Sequence, residues 1–480
     1  MNSKKSLSSK IISGSFWKFG ERMSAQAVSF FVSLILTRIL SPSDYGIIAI
    51  INIFIAIADV FLASGLNTAL IQKKNPTRLD YNTIFWCNII LGCILYLVLF
   101  LVAPVLTDFY NIPILTPVIR IFALRLPISS FQSIQSAFVS KHMQFKKFFY
   151  ATFLGSVVSA VVGIAMAYTG FGVWALVAQY LVNTVVGTVT LFAIISWRPK
   201  FEFSFESAKP LVQYGWKIMF TDLTGTIFNN LGDFIIGARY NSSSLAFYSK
   251  GRQLPYLIRN NIFTSLISVL FPGMSQVNDD IERIKSISRK SISVLSFLIF
   301  PTMVGLIVTA EPLTILMYTE KWLPITPFVV IVCSEAILSV IPTVTMQTIK
   351  ALGRSDLTLK IEFIKKPFYL LTIFIALNFG IVAIALTLII NAIIEMITNG
   401  LIVQRLIKYS LWEQLNDMFD SLIISILMGL ISYLVVFLNL NIYFTLLLQV
   451  VVGIFSYLIL AIAFKNKSFI ELKNRFFNTN

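Results

Sequence analysis

The sequence predicts an all-α integral membrane protein of about 14 transmembrane helices, and three observations carry that prediction. Hydrophobic residues make up 57% of the 480, charged residues only 12%, and the mean hydropathy is +0.82. Soluble domains lie near about 45–50% apolar and roughly 25% charged. The apolar residues also gather in runs of about 20, the length a helix needs to cross hydrocarbon, without the alternation of a membrane strand. Finally, Lys and Arg concentrate in every second connection between runs. A soluble enzyme, a disordered scaffold and a disulfide-stapled secreted module are excluded by composition alone.

In chain order, six runs cover 14–37, 46–70, 83–106, 117–139, 149–169 and 173–196. Six more cover 214–238, 246–271, 291–310, 325–349, 367–378 and 381–404, and a last pair covers 420–438 and 443–464. The run at 367–378 is the shortest. At the N-terminus Lys4, Lys5 and Lys10 precede no uninterrupted apolar core, because Lys18, Glu21 and Arg22 intrude, so a cleaved signal peptide is not expected. Segments 276–290 and Leu411–Phe419 read as interfacial amphipathic helices. The longest outward loop is Glu311–Leu323, too short to house catalysis, so the protein is not expected to be an enzyme.

The formal net charge is +16. On a soluble chain such an excess suggests nucleic acid; here its placement decides. Of the 38 Lys and Arg, 27 fall in alternate segments that include both termini, 3 in the opposite loops (Arg38, Arg239, Lys321) and 8 inside the runs. Basic residues favour the cytoplasmic side. The split therefore predicts an even number of spans, both termini in the cytoplasm, and inner-face loops that meet anionic membrane lipids. No nucleic-acid recognition module is visible. Cys87, Cys93 and Cys333 have no paired spacing, and the single histidine, His142, builds no metal site, so neither a metal nor an organic cofactor is expected.

Ionisable groups at membrane depth are costly and mark partners, cavities or pathways. In the first run Arg22, Gln26, Ser29 and Ser33 fall at i, i+4, i+7 and i+11 and share one helix face. The seventh run repeats this spacing 200 residues later with Asp222, Thr226, Asn229 and Asp233. Trp17-Lys18 against Trp216-Lys217, Arg38 against Arg239 and Tyr45 against Tyr248 flank the copies. An internal duplication of six spans, parallel in the membrane, is the reading; transporters often carry such repeats. It divides the chain into an N-lobe (1–200, helices 1–6), a C-lobe (201–410, helices 7–12) and a closing pair with a cytoplasmic tail (411–480).

The fourth run carries Arg125, Ser129, Gln132 and Ser136 at the same spacing, after Arg120. The eighth carries Lys250, Arg252 and Arg259, the last two lying 200 residues after Asn52 and Asp59. Glu335 with Ser339, and Asn391 with Glu395 and Asn399, give polar faces to the tenth and twelfth. Such groups can simply pair helix to helix, and Lys18, Lys217 and Lys250 sit where they can snorkel. Arg22, Arg125 and Arg259 read instead as the basic wall of a hydrated cavity, with Gln26, Gln132, Asn229 and Arg252 beside them. That cavity suits an anionic ligand, because guanidinium groups grip phosphate oxygens in pairs. Asp59, Asp222 and Asp233 are candidates to bind H⁺ or Na⁺ and couple it to a conformational change.

The segments LTRILSPSDYG (Leu36–Gly46), ADVFLASGLNTALIQKK (Ala58–Lys74), SKHMQFKKF (Ser140–Phe148) and ALGRSDL (Ala351–Leu357) give the chain a family likeness. It resembles the polysaccharide-transport flippases, the Wzx-type or colanic-acid-exporter-like branch of the multidrug/oligosaccharidyl-lipid/polysaccharide exporter superfamily. The resemblance implies two six-helix lobes around a central cavity and a final helix pair. It implies alternating access that carries undecaprenyl-diphosphate-linked oligosaccharide across the bacterial inner membrane for O-antigen, capsule or exopolysaccharide synthesis, alongside the pathway's polymerase and chain-length proteins. Members that carry lipid-linked diphosphates have basic residues on the first, second and eighth helices. Arg22 and Arg259 match the first and eighth; the second departs, with Asn52 and Asp59. An ion-coupled drug or metabolite antiporter of the superfamily, or a membrane-embedded polymerase or ligase, are the other readings.

Overall fold

The computed structural model describes residues 2–63, 65–466 and 468–470, with side chains from residue 13 onward apart from residue 15. Lys467, Lys473 and Arg475 of the basic tail, and the side chains of Lys4, Lys5 and Lys10, lie outside what is described. The regular structure of the described residues is all helical, without a strand. In order they form α1 (Asn2–Ile39), α2 (Pro42–Ala63), α3 (Gly65–Gln72), α4 (Arg78–Tyr110), α5 (Leu115–Phe122) and α6 (Arg125–Lys141). Then come α7 (Phe145–Tyr168), α8 (Val173–Ile194), α9 (Phe205–Arg239), α10 (Ser242–Ser275), α11 (Ile281–Val308) and α12 (Ala310–Tyr318). After a 3-10 segment, Glu320–Ile325, the chain continues with α13 (Thr326–Leu338), α14 (Val340–Ala351), α15 (Ser355–Ala376), α16 (Ile381–Ile407), α17 (Leu411–Tyr433) and α18 (Ile442–Ala463).

All fourteen predicted runs fall on these helices, and ten helices are long and apolar enough to cross a membrane, counted among the described residues. The runs outside that ten lie on α1, α5–α6, α9 and α15. Polar stripes lower the hydropathy of α1, α9 and α15, whereas α5–α6 is divided. Three boundaries differ from expectation. The short 367–378 run is the apolar end of the 22-residue α15, whose other half carries Lys360, Glu362, Lys365 and Lys366. Lys365 lies 2.7 Å from Glu395 on α16, so much of that charge is paired rather than solvated. Segments 281–290 and Leu411–Phe419 are the opening turns of α11 and α17, not separate surface helices. Glu311–Leu323 is mostly helical rather than an open loop.

Local rules set the helix ends. LTRILSPSDYG is a stop and a start: Ser41 caps α2, its hydroxyl accepting from the Asp44 N–H (3.2 Å) while its own N–H donates to the Asp44 carboxylate (3.0 Å). This is a reciprocal N-cap with Pro at the first helical position. Gly46 follows because a Cβ there would stand 1.8 Å from the Ser242 carbonyl oxygen. ALGRSDL does the same work between α14 and α15: Gly353 takes φ +70, and the Arg354 N–H reaches back to the Ile349 carbonyl. Such a left-handed closure favours glycine. In that exposed turn the Arg354 guanidinium, bonded to Asp356, holds its carboxyl down at about 2.

The chain forms two compact units, dividing between Ala246 and Phe247. The first is centred on Leu70, Ile84, Phe85, Ile134 and Leu191, which pack α3, α4, α6 and α8 together. It also takes in α9, which crosses α3 where Gly65 meets Gly215; a Cβ on Gly215 would come within 2.7 Å of the Gly65 backbone. The compact boundary therefore lies in α10, whereas the sequence repeat divides near residue 200. Helix ends keep the repeat's offset nonetheless: α1 stops at Ile39 and α9 at Arg239, and α2 starts at Pro42 and α10 at Ser242. In the second unit Phe297, Ile424, Met428, Tyr457 and Ala461 pack α11, α17 and α18. Arg289 grips both oxygens of Asp417 at 2.8 Å where α11 meets α17.

Candidate functional site

Two proline-directed breaks place the charged groups. Pro127 has no N–H to offer the carbonyl of Ala123, and the chain turns at Ala123–Leu124 before α6 begins at Arg125. Pro342 likewise cannot serve the carbonyl of Leu338, and the chain turns at Ser339 between α13 and α14. An ion pair stands at each break. In the first unit Arg125 Nη2 lies 3.3 Å from Asp59 Oδ2 on α2. In the second, Glu335 in the last turn of α13 receives Arg259 Nη1 of α10 at 2.6 and 2.8 Å. In the numbering of the predicted repeat these are the same two spans with the charges exchanged: acid on the second and base on the fourth, then base on the eighth and acid on the tenth.

The two pairs differ in how firmly they are held. Asp59 is 37% exposed and Arg125 21%, against 14% for Glu335 and 19% for Arg259. Ser339 adds a hydroxyl bond of 2.6 Å to Glu335 Oε1. Aromatic faces complete both arginine environments. Arg259 lies 4.5 Å from the Tyr256 ring centre, and Arg125 lies 5.7 and 6.0 Å from those of Phe122 and Tyr180. Arg252, one turn before Tyr256, stacks 4.0 Å over Tyr248 and donates to its hydroxyl. A guanidinium has five donors, and one carboxylate does not exhaust them. Beyond Glu335, Arg259 makes only long 3.4 Å contacts, to Asn260. Arg125 and Arg259 therefore keep N–H groups that can turn to a second anion.

The remaining predicted residues are spread along the stripes. On α1, Arg22 is exposed, and neither an ion pair nor a hydrogen bond involves it among the described residues; Gln26 is half-buried. Nearby Glu21 is occupied by Lys18 (2.6 Å) and by the Thr152 hydroxyl (3.1 Å). On α9, Asp222 and Asn229 are exposed whereas Asp233 is buried. Gln132 on α6 accepts from Thr188 on α8 at 3.4 Å. The structure thus brings together Arg125 with Asp59 and Arg252 with Arg259's aromatic neighbour Tyr256, and among the described residues it leaves Arg22 and Asp222 uncommitted.

Sequence reasoning placed Arg125 and Arg259 in a basic wall and did not foresee their carboxylates, which stand 66 and 76 residues away in the chain. The signal that could have paired Arg259 is Glu335 with Ser339, the lone acid of its run. Arg120, noted on the fourth run, has a partner the sequence did not announce. Pro104 leaves the carbonyl of Phe100 without its helical donor, and Arg120 Nε supplies one at 3.3 Å while stacking 4.1 Å over the Phe100 ring. That arginine is structural.

A family model described as "Polysaccharide biosynthesis protein" matches residues 35–327. The succinoglycan biosynthesis transport protein ExoT of Rhizobium meliloti (strain 1021) is 24% identical over 64% of this chain and 62% of its own length. The chain thus spans less than two thirds of that relative. The lipopolysaccharide biosynthesis protein WzxC of Escherichia coli (strain K12) is 24% identical over 75% of this chain and 74% of its own. Among solved structures, the lipid II flippase MurJ in an inward closed conformation superposes with a TM-score of 0.75. It covers 94% of this chain and 98% of its own, at 15% identity, a likeness of fold.

Proposed function

The chain belongs to the polysaccharide biosynthesis protein family, and from that premise we propose that it is a flippase. In this reading it moves undecaprenyl-diphosphate-linked oligosaccharide repeat units across the bacterial inner membrane by alternating access, and serves O-antigen, capsule or exopolysaccharide synthesis rather than catalysing a reaction. A diphosphate headgroup cannot cross hydrocarbon unaided, since a charge at the bilayer centre costs several kcal/mol or more. Cations, amides and hydroxyls that replace its water lower that barrier. The observation that supports this reading best is the set of arginines on the polar helix stripes, Arg22 without a partner among the described residues and Arg125 and Arg259 each with donors to spare. Gln26, Gln132, Asn229 and Arg252 complete the group that meets the diphosphate and first sugars.

Fourteen spans fit this reading, as two six-helix lobes (1–200 and 201–410) and a closing pair (411–480), with both termini cytoplasmic. A polymerase and chain-length proteins of the same pathway would receive the flipped unit. Asp59, Asp222 and Asp233 are the groups that would bind H⁺ or Na⁺. The exposed, uncommitted Asp222 also favours a second reading, an ion-coupled antiporter for drugs or metabolites. Expression in a bacterium lacking its own repeat-unit flippase separates the two. Restored surface polymer with the wild-type chain, and its loss in an R22A/R125A/R259A variant still present in the membrane, supports the flippase. No restoration, with drug resistance that depends on Asp222, supports the antiporter.

A further inference from the structure

A second basic cluster lies apart from the membrane-depth arginines. At one end of the first unit, a cavity of about 700 Å³ opens among the connections that follow α3, α6 and α8. Lys74, Arg78, Lys141 and His142 line it, and no carboxylate does. Lys74 and Arg78 are exposed, and no hydrogen bond or ion pair involves their side chains among the described residues. Lys141 is fixed in place, its ammonium donating to the carbonyls of Ile71 (2.7 Å) and Lys73 (2.6 Å) at the end of α3. Asp80, close by in the chain but outside the lining, is engaged through one oxygen: Lys73 Nζ lies 2.7 Å away, and the Thr77 N–H and hydroxyl donate to the same Oδ2, while Oδ1 is buried without a partner among the described residues. The cations of the cavity are therefore not cancelled by a neighbour.

Two further residues of the lining point the same way. Tyr81 and Trp197 are 4% and 8% exposed. The Tyr81 hydroxyl and the Trp197 indole N–H are buried, and neither has a hydrogen-bond partner among the described residues. Buried donors are seldom left without an acceptor. Three cationic side chains and two unmet donors around one cavity call for an anion rich in acceptor oxygens. The position, on loops at the ends of membrane-length helices, is where lipid phosphates lie. We propose that this cavity binds a phosphate group, either the headgroup of an anionic phospholipid or free inorganic phosphate, independently of the cargo arginines.

Thermal unfolding of the purified full-length chain in a neutral detergent tests this, because a ligand bound to the folded state raises the midpoint with concentration. The probes are dioleoylphosphatidylglycerol and inorganic phosphate. The proteins are wild type, K74Q/R78Q, W197F, and R283Q/K360Q as a charge-matched control elsewhere on the surface. A midpoint rise in wild type and control, which K74Q/R78Q reaches only at tenfold or more higher probe, supports the site. A rise with both probes identifies phosphate itself, and a rise with the lipid alone identifies the headgroup. W197F, which keeps a ring but loses the donor, should need a few-fold more of the same probe. The proposal is overturned if neither probe shifts wild type, if K74Q/R78Q responds like wild type, or if the control loses as much.

Discussion

The Asp59–Arg125 and Arg259–Glu335 pairs put one device into both units with opposite polarity and unequal grip. In each, an arginine and a carboxylate join one helix to another that is broken ahead of a proline, and aromatic rings flank the guanidinium. In the second unit the contact is 2.6 Å, a serine secures the acid, and both partners are largely covered. In the first it is 3.3 Å, with Asp59 more than a third exposed. Coulomb attraction grows as solvent is excluded, and so does the cost of leaving one partner alone. The tight pair is thus a strut whose arginine still offers spare donors, while the loose pair is the longer and the more exposed to solvent. Neither α2 nor α3 carries a basic residue, and the base paired with Asp59 stands on α6.

The largest expected effect is that of removing the strut's acid. Glu335→Gln should destabilise the protein by about 2 kcal/mol, within the range for breaking a covered pair from one side, read as a lower unfolding midpoint in detergent. Asp59→Asn should cost about 1 kcal/mol or less, as exposed pairs do; equal losses for the two would break the comparison. Exchanging the loose pair, Asp59→Arg with Arg125→Asp, should be better tolerated than either change alone. A double-mutant cycle measures that coupling, expected at about 0.5–1 kcal/mol; zero coupling would show that the 3.3 Å contact contributes nothing. Arg22→Ala should alter stability least, within about 0.5 kcal/mol, since no protein group depends on it. Its expected consequence is reduced polymer export, measured against protein amount in the membrane.

Much of this architecture was legible from helical periodicity. Arg22, Gln26, Ser29 and Ser33 had to share a face, and the 200-residue offset to Asp222 and its neighbours reappears in helix ends at Ile39 and Arg239. The Ser41–Asp44 cap acts within one turn and yet was not among the features read, since Leu36–Gly46 served only as a family likeness. Long-range partners were not legible. Nothing local in Arg125 announces Asp59, so a cation counted as free turned out to be paired. The break before Pro342 could not be told from an ordinary kink, and it is what places Glu335 at the end of a helix. The charged half of α15 escaped because hydropathy counts Lys365 and Glu395 separately, whereas the fold sets them 2.7 Å apart. Neither was the phosphate cavity legible, since its residues come from connections more than 50 positions apart.

The proposed transport of lipid-linked diphosphate by Arg22, Arg125 and Arg259 is tested most directly in proteoliposomes. The measurement is the rate at which a fluorescent polyprenyl-diphosphate oligosaccharide changes leaflet, with the purified wild-type chain and with R22A/R125A/R259A at equal incorporation. The arginines as diphosphate carriers predict rapid exchange with wild type and a fall of tenfold or more in the variant. Equal rates for the two proteins would contradict it.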